Sequence, residues 1–367
     1  MQNNDFFSYH HVGGRNGRSG FPLISALHGS IASTFYEADT SCIPQIEAEQ
    51  RSFGYGEVRV LPACLAGSNG VRSFNINFDG YTSSYLNLNP KYKSFYQERG
   101  GAYDYTYECA MSVANKLEIS MVTLDDVQDK LPIDFLSLDT QGSELDILQG
   151  AVESLKNSVG VETEVSFRQI YENSALFGEI CSFLNNLGFE FICFTSLTLD
   201  APRTMPLVGR LEKLHSSGDA LFLRIPKSTL EEKQKKKLIF AALAYGQIEY
   251  AAYCVRELGL KPSNPDSASQ STLNASSKEK REKIVTWLDF VDEFILISTK
   301  SKTYKFAPKL SELTNVKELA ARFDLSSTTN NSPIDTLRNL KRLTIMKIKI
   351  AIKKSIKRLY LRSLNIT

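Results

Sequence analysis

Ile133-Asp-Phe-Leu-Ser-Leu-Asp-Thr-Gln-Gly-Ser-Glu-Leu-Asp-Ile-Leu-Gln-Gly-Ala151 is the stretch that decides the fold. Ile133, Phe135, Leu136 and Leu138 make a short, nearly continuous apolar run, the pattern of a parallel strand covered on both faces. Asp139 stands at its carboxyl end. Open α/β sheets bind ligands in the crevice beyond their strand ends, so a carboxylate there is a functional candidate. Gly142 permits the tight turn that follows. Ser143 with Asp146 reads as a capping box, and Leu145, Leu148, Val152 and Leu155 predict the helix face turned to the sheet.

Towards the amino terminus, Phe6 to Val12 predicts a first strand. Gly13-Gly-Arg-Asn-Gly17 follows as a glycine-rich turn, ahead of a helix expected near Phe21-Pro22. Such a turn lets the backbone approach a nucleotide or nucleoside closely, which makes Gly13, Gly14 and Gly17 cofactor-binding candidates. A second strand ends in Glu37, twenty residues beyond Gly17. An acid in that position can accept both ribose hydroxyls. His10 and His11 are not read as a metal pair, because neighbouring strand residues point to opposite faces and no carboxylate or cysteine cluster accompanies them.

Glu57 to Leu61 predicts a third parallel strand and Val71 to Phe78 a short exposed hairpin. The loop Asp79-Gly-Tyr-Thr-Ser-Ser-Tyr85 is polar, and Ser83 and Ser84 either contact a ligand or close the turn. Tyr85, Tyr92, Tyr96, Tyr103 and Tyr105 make this region dense in tyrosine, read as a lid or as a platform for a sugar ring. Further on, Val159 to Phe167, Phe189 to Thr195 and Asp219 to Ile225 predict strands, with a helix over Ala175 to Leu187 stopped by Gly188. No helix-length period separates the last two strands, so they should pair antiparallel. Their connection then emerges at the ligand end of the sheet, bringing His215, Arg203 and Arg210 towards it.

The chain has 367 residues, 42% of them hydrophobic, which allows a sizeable core and an appendage. A net charge of +2 is too small to imply a nucleic-acid binder. Six cysteines without a C-x-x-C pair argue against a zinc site or a disulfide framework. No apolar run reaches the roughly 18 residues of a spanning helix and the amino terminus lacks a signal pattern, so the cytoplasm is the expected compartment.

The motif Asp139-Thr-Gln-Gly-Ser-Glu-Leu145 with Leu148-Gln-Gly-Ala151 resembles the FkbM-type S-adenosylmethionine-dependent methyltransferases. Val122-Thr-Leu-Asp-Asp-Val127, Val161-Glu-Thr-Glu-Val-Ser-Phe167 and Gly218-Asp-Ala-Leu-Phe-Leu-Arg224 flank it in the family's order, and the resemblance covers the first two thirds of the chain. It implies an α/β fold, the Rossmann-like class I methyltransferase sheet of seven strands with the last antiparallel, with S-adenosylmethionine as cofactor. It also implies that Ala63, in Pro62-Ala-Cys-Leu-Ala-Gly67, borders the adenine, that Ser83 lies in a paired-serine loop, and that the acceptor is a hydroxyl of a sugar, glycan or secondary metabolite. The chain departs from the family at His11, where an acid is usual. That departure motivates the alternative of a non-catalytic methyltransferase-fold scaffold in glycan assembly.

Methyl transfer to an alcohol demands in-line alignment and removal of a proton. Asp139, Glu164 and His215 are the catalytic candidates, with Asp139 leading as base and Glu164 suited to binding acceptor hydroxyls. Either acid could instead brace backbone amides.

Residues 1–226 are therefore read as the methyltransferase domain and 227–260 as a helical hairpin packed on the sheet. Residues 261–277 read as a linker and 278–367 as a helical, basic extension in which Trp287 is a packing residue. From Thr336 to Thr367 there is no Asp or Glu, so the tail could seek an anionic membrane surface. Its basic residues are spread around the helical axis, which suits a solvated or partner-bound helix better.

Overall fold

The computed structural model describes residues 5–13, 20–22, 25–91, 107–200, 214–262 and 286–300. Gly14, Gly17, Arg203, Arg210, the tyrosines from Tyr92 to Tyr105, residues 263–277 and the basic tail lie outside these. The described residues up to Leu296 belong to one compact unit.

A seven-stranded sheet organises this unit. It is built from β1 (Phe7–Val12), β2 (Ile31–Glu37), β3 (Glu57–Pro62), β7 (Phe135–Leu138), β8 (Gly160–Ser166), β9 (Phe189–Asp200) and β10 (Leu214–Arg224), in the order β3-β2-β1-β7-β8-β10-β9. Strands β3, β2, β1, β7 and β8 run parallel, and β10 is antiparallel to both β8 and β9. This is the expected sheet of seven strands with the last one reversed, and it is consistent with a class I, Rossmann-like methyltransferase fold. The closing hairpin is longer than the sequence implied, running on to Asp200 and resuming at Leu214.

Alternation along the strands gives each face its own core. Val12, Leu136, Leu138, Val161 and Phe222 pack with Ile147 and Leu148 of α2 (Glu144–Gln149) and with Ile180 and Leu184 of α3 (Phe177–Asn186). The opposite face is aromatic. Phe7 lies 5.1 Å from Phe21 and 4.9 Å from Phe240, ring centroid to centroid, and Phe135 stacks on Tyr245 at 5.2 Å. Each such buried ring contributes about 1.5–3 kcal/mol by leaving water.

Three helices after the sheet supply that aromatic layer and its clamps. These are α4 (Glu232–Ala244), α5 (Ile248–Glu257) and α6 (Trp287–Lys300); a further helix, α1 (Ile43–Ser52), links β2 to β3. Lys237 on α4 sits 2.6 Å from both carboxylate oxygens of Asp134, whose Oδ2 also accepts the Ser8 N–H at 2.8 Å. Trp287 is fully buried and donates from Nε1 to the Asp5 carbonyl at 2.7 Å. It is thus a packing residue. The described residues contain no helix long and apolar enough to cross a membrane.

Two local expectations are corrected. Val71 to Phe78 does not fold back on itself. It forms β5 (Gly70–Asn77) and pairs with the distant β6 (Val113–Val122) in a second sheet of order β4-β6-β5, β4 being Cys64–Leu65. Near Phe21-Pro22 the described helix is a 3-10 segment over Ser25–Ser30, not a regular helix at Pro22.

Candidate active site

The site is built where β2, β1 and β7 end side by side. Val12 is in register with Leu138 and the Asp139 N–H donates to the Val12 carbonyl at 3.1 Å, which locks Gly13 against Asp139. Gly13 has φ +95°, and a Cβ there would stand 2.0 Å from the Asp139 carbonyl oxygen. Only glycine can occupy this crossing. Glu37 closes β2 next to it, and its Oε1 accepts the Asp39 N–H at 2.7 Å.

Gly13, Glu37, Ala63, Ser83, Asp139 and Gln141 all line one cleft of about 810 Å³. Its roof is the apolar face of the small sheet, with Phe74 and Ile76 of β5 and Leu117 and Ile119 of β6. The volume lies within the range of small-molecule sites. A glycine that admits no side chain, beside a strand-end carboxylate able to accept a diol, fits an adenosyl group.

The turn after β7 is held from within. Gln141 takes the left-handed conformation, φ +57°, and Gly142 follows at φ +96°. Glu144, 5% exposed, turns back and accepts the Thr140 N–H at 2.9 Å, the Thr140 hydroxyl at 3.0 Å and the Gly142 N–H at 3.1 Å. Burial pushes its pKa up, against the pull of those donors.

The expected capping box is not formed, because the Ser143 hydroxyl donates to the Thr140 carbonyl instead. Asp146 is spent elsewhere, accepting from the Gly67 N–H at 2.9 Å, Arg72 at 2.9 Å and the Tyr85 hydroxyl at 2.6 Å. Burial alone would raise its pKa, but the three donors together hold it below the usual carboxylate range. The buried face of α2 is made by Ile147 and Leu148, continued by Ala151 and Leu155; Leu145 and Val152 are only half-buried.

Asp139 and Glu164 are joined by one amide. Gln141 Nε2 donates to Asp139 Oδ1 at 3.2 Å and to Glu164 Oε2 at 3.4 Å, and its Oε1 accepts the Tyr171 hydroxyl at 2.9 Å. Glu164 lies on β8 and is not among the residues that line the cleft. His215 is not brought to the cleft: it is exposed, its ring lies 5.9 Å from Phe167, and its carbonyl accepts from Arg168 at 3.0 Å.

Ser83 Oγ accepts the Asn77 N–H at 3.1 Å, while Ser84 donates to the Gln141 carbonyl at 3.0 Å. Both serines line the cleft while closing the loop on its neighbours. The sequence pattern assigns no role to Gln141, Glu144 or Tyr171. The only sequence signal for the first two is their place inside the Asp139-to-Leu145 motif.

His11 occupies the position of the usual acid. It is buried and faces Ser137 Oγ from Nδ1 at 3.0 Å and the Gly13 carbonyl from Nε2 at 3.2 Å, so it braces the turn. His10 points the other way, between Ser8 Oγ at 3.0 Å and the Tyr36 hydroxyl at 2.9 Å. Among the described residues no group of three or more His, Cys, Asp or Glu could hold a metal ion.

Comparison with known proteins gives a family match. Residues 30–191 match the methyltransferase FkbM domain. None of the curated proteins matches the sequence. Among solved structures, a methyltransferase FkbM from Methylobacillus flagellatus KT is 13% identical with a TM-score of 0.34, over 60% of this chain and 44% of that one. Magnesium protoporphyrin IX methyltransferase from Synechocystis PCC 6803, with bound S-adenosylmethionine, is 9% identical, TM-score 0.30, over 61% and 72%. A precorrin-6y C5,15-methyltransferase from Geobacter metallireducens GS-15 is 12% identical, TM-score 0.29, over 61% and 84%. The chain therefore spans less than half the length of the first of these.

Proposed function

From a chain that contains an FkbM-family methyltransferase domain over residues 30–191, we propose an S-adenosylmethionine-dependent O-methyltransferase acting on a hydroxyl of a sugar, glycan or secondary metabolite. One observation carries this reading: Gly13, Glu37 and Asp139, from three neighbouring strand ends, open into a single cleft. When bound, the cofactor supplies a methyl group on a positively charged sulfur, which leaves as a neutral thioether.

The residues divide the remaining work. Glu37 accepts the ribose hydroxyls, Gly13 admits the nucleoside against the backbone, and Ala63 borders the base. Asp139 takes the acceptor's proton as the new carbon–oxygen bond forms, and Glu164 acts beside it through the shared Gln141 amide. Such proton removal typically contributes 10²–10⁴-fold. His215, outside the cleft, is given no step. The acceptor is the partner that this reading requires.

Calorimetric titration with S-adenosylmethionine and S-adenosylhomocysteine tests the proposal. Saturable binding that weakens at least about tenfold in Glu37→Ala, with Asp139→Asn binding normally yet failing to turn over, is the expected result. No binding at millimolar ligand, with or without acceptors, would leave the scaffold alternative suggested by His11.

A further inference from the structure

The roof of the cleft ends in an open strand edge, and the side of β6 facing it can be worked out from two hydrogen bonds. In an antiparallel pair, backbone groups of alternate residues point towards the partner and away from it. Asn75 exchanges both its backbone hydrogen bonds with Ser84, at 2.9 and 3.2 Å, so it faces away from β6 and its opposite number Lys116 faces away from β5. Ala66 N–H donates to the Val122 carbonyl at 3.1 Å, so Val122 also faces away from β5, towards β4. Lys116, Glu118, Ser120 and Val122 therefore share one orientation.

Strand β4 covers that edge only at Met121 and Val122. Among the described residues no strand is in register with Glu118 or Ser120 on this edge, where β4 reaches no further than the Ser120 carbonyl, and both residues line the cleft that holds Glu37 and Asp139. The Glu118 carbonyl and the Ser120 N–H are thus side by side, acceptor next to donor, at the rim. The apolar side chains of Leu117, Ile119 and Phe74 lie beside them. Ser120 adjoins Met121, which is in register with Cys64, so this edge lies next to Ala63.

We infer that the open edge of β6 reads the 6-aminopurine of the cofactor through its main chain, the Glu118 carbonyl accepting from the 6-amino group and the Ser120 N–H donating to the ring nitrogen beside it. A purine needs flat apolar contact and one such donor–acceptor pair, and this rim supplies both beside the strand-end carboxylate proposed for the ribose. The inference rests on the methyltransferase reading. An extended acceptor paired to the same edge is the competing occupant.

The test compares binding of S-adenosylhomocysteine and S-inosylhomocysteine to the full-length protein by calorimetry, in wild type and in Ser120→Pro. Hypoxanthine carries an oxygen and an N–H where adenine has an amine and a bare nitrogen, so the inosyl compound should bind at least roughly tenfold more weakly to wild type. Proline removes the one N–H at an edge position where no ladder bond is lost. The variant should lose roughly tenfold in adenosyl affinity and most of the discrimination.

Equal affinities in wild type would overturn the inference, and this arm needs no variant to fold. Discrimination that survives unchanged in a folded Ser120→Pro would also overturn it. If adenosyl binding is intact but neither base nor proline matters, the inference falls while the methyltransferase reading stands. If the adenosyl compound does not bind at all, the methyltransferase reading itself falls.

Discussion

Gln141 and Asp139 are joined by a hydrogen bond of 3.2 Å from the amide Nε2 to the carboxylate Oδ1, and the same nitrogen reaches Glu164 at 3.4 Å. An amide nitrogen has two hydrogens, so it can serve two carboxylates at once. Gln141 holds this position at φ +57°, a conformation that a residue with a side chain adopts only when its surroundings enforce it. Here the Tyr171 hydroxyl fixes the amide oxygen and Ser84 fixes the carbonyl.

Gln141→Ala is therefore expected to lower kcat by roughly 10–100-fold, as misplacement of a reacting group does, while the affinity for S-adenosylhomocysteine changes little. Steady-state kinetics and a binding titration on the same preparation separate the two. An unchanged kcat would remove Gln141 from positioning Asp139.

Gly13→Ala should be strongly destabilised. The new methyl would overlap the Asp139 carbonyl at 2.0 Å in a left-handed backbone, at the contact that joins β1 to β7. A loss of about 3 kcal/mol or more is the expected order, from overpacking and strain together. Thermal unfolding measures it, and a variant melting within a few degrees of wild type would contradict the crossing described above.

Acid should destabilise the protein through His10. Burial, with lesser contributions from the charges of Lys130 and Arg59, lowers its pKa from 6.5 to about 3. Between those values the unfolded chain holds a proton that the folded chain refuses. Stability present above pH 6.5 is then lost as pH falls towards 3, at up to about 1.4 kcal/mol per pH unit from this group. His10→Gln, which keeps a donor and an acceptor between Ser8 and Tyr36, should show a shallower fall in denaturant unfolding measured from pH 7 to 4. Parallel slopes would show that His10 is not the titrating group.

Trp287→Ala is expected to cost about 3–5 kcal/mol, the usual range for emptying a fully buried aromatic site. The ring lies 5.8 Å from Phe240, and its N–H caps the Asp5 carbonyl ahead of β1. Loss therefore falls on the edge where the sheet starts rather than on the cleft. A urea midpoint shift with cofactor affinity preserved is the expected pattern; a midpoint near wild type would count against it.

Much of the sheet was written locally. The apolar run Phe135-Leu-Ser-Leu138, the glycine at 142 and the missing helix before Asp219 each constrain a few adjacent residues, and those constraints add up to strands, turns and an antiparallel end. The positions of Asp139 and Glu37 were legible for the same reason: a carboxylate that ends an apolar strand stands at the ligand edge of the sheet whatever else surrounds it. The sequence pattern at Ser143 does not decide helix capping, because Asp146 could satisfy either its own backbone or Arg72, Tyr85 and Gly67, and only the folded loops bring those three donors to it.

The sequence by itself determined the class of fold, the strand ends that bear the acids, and the glycine at position 13, since short-range sterics and periodicity act on neighbouring residues. Tertiary structure alone decided that Gln141 would bridge Asp139 to Glu164 and that His11 would face Ser137 and Gly13 rather than a ligand. It also decided that, among the described residues, no strand would be in register with Glu118 and Ser120 on the edge of β6 away from β5, and that Trp287 would seal the start of the sheet. These pairs are separated by up to 282 positions, as in Trp287 with Asp5, and a hydrogen bond across such a distance exists only once the chain between them has folded.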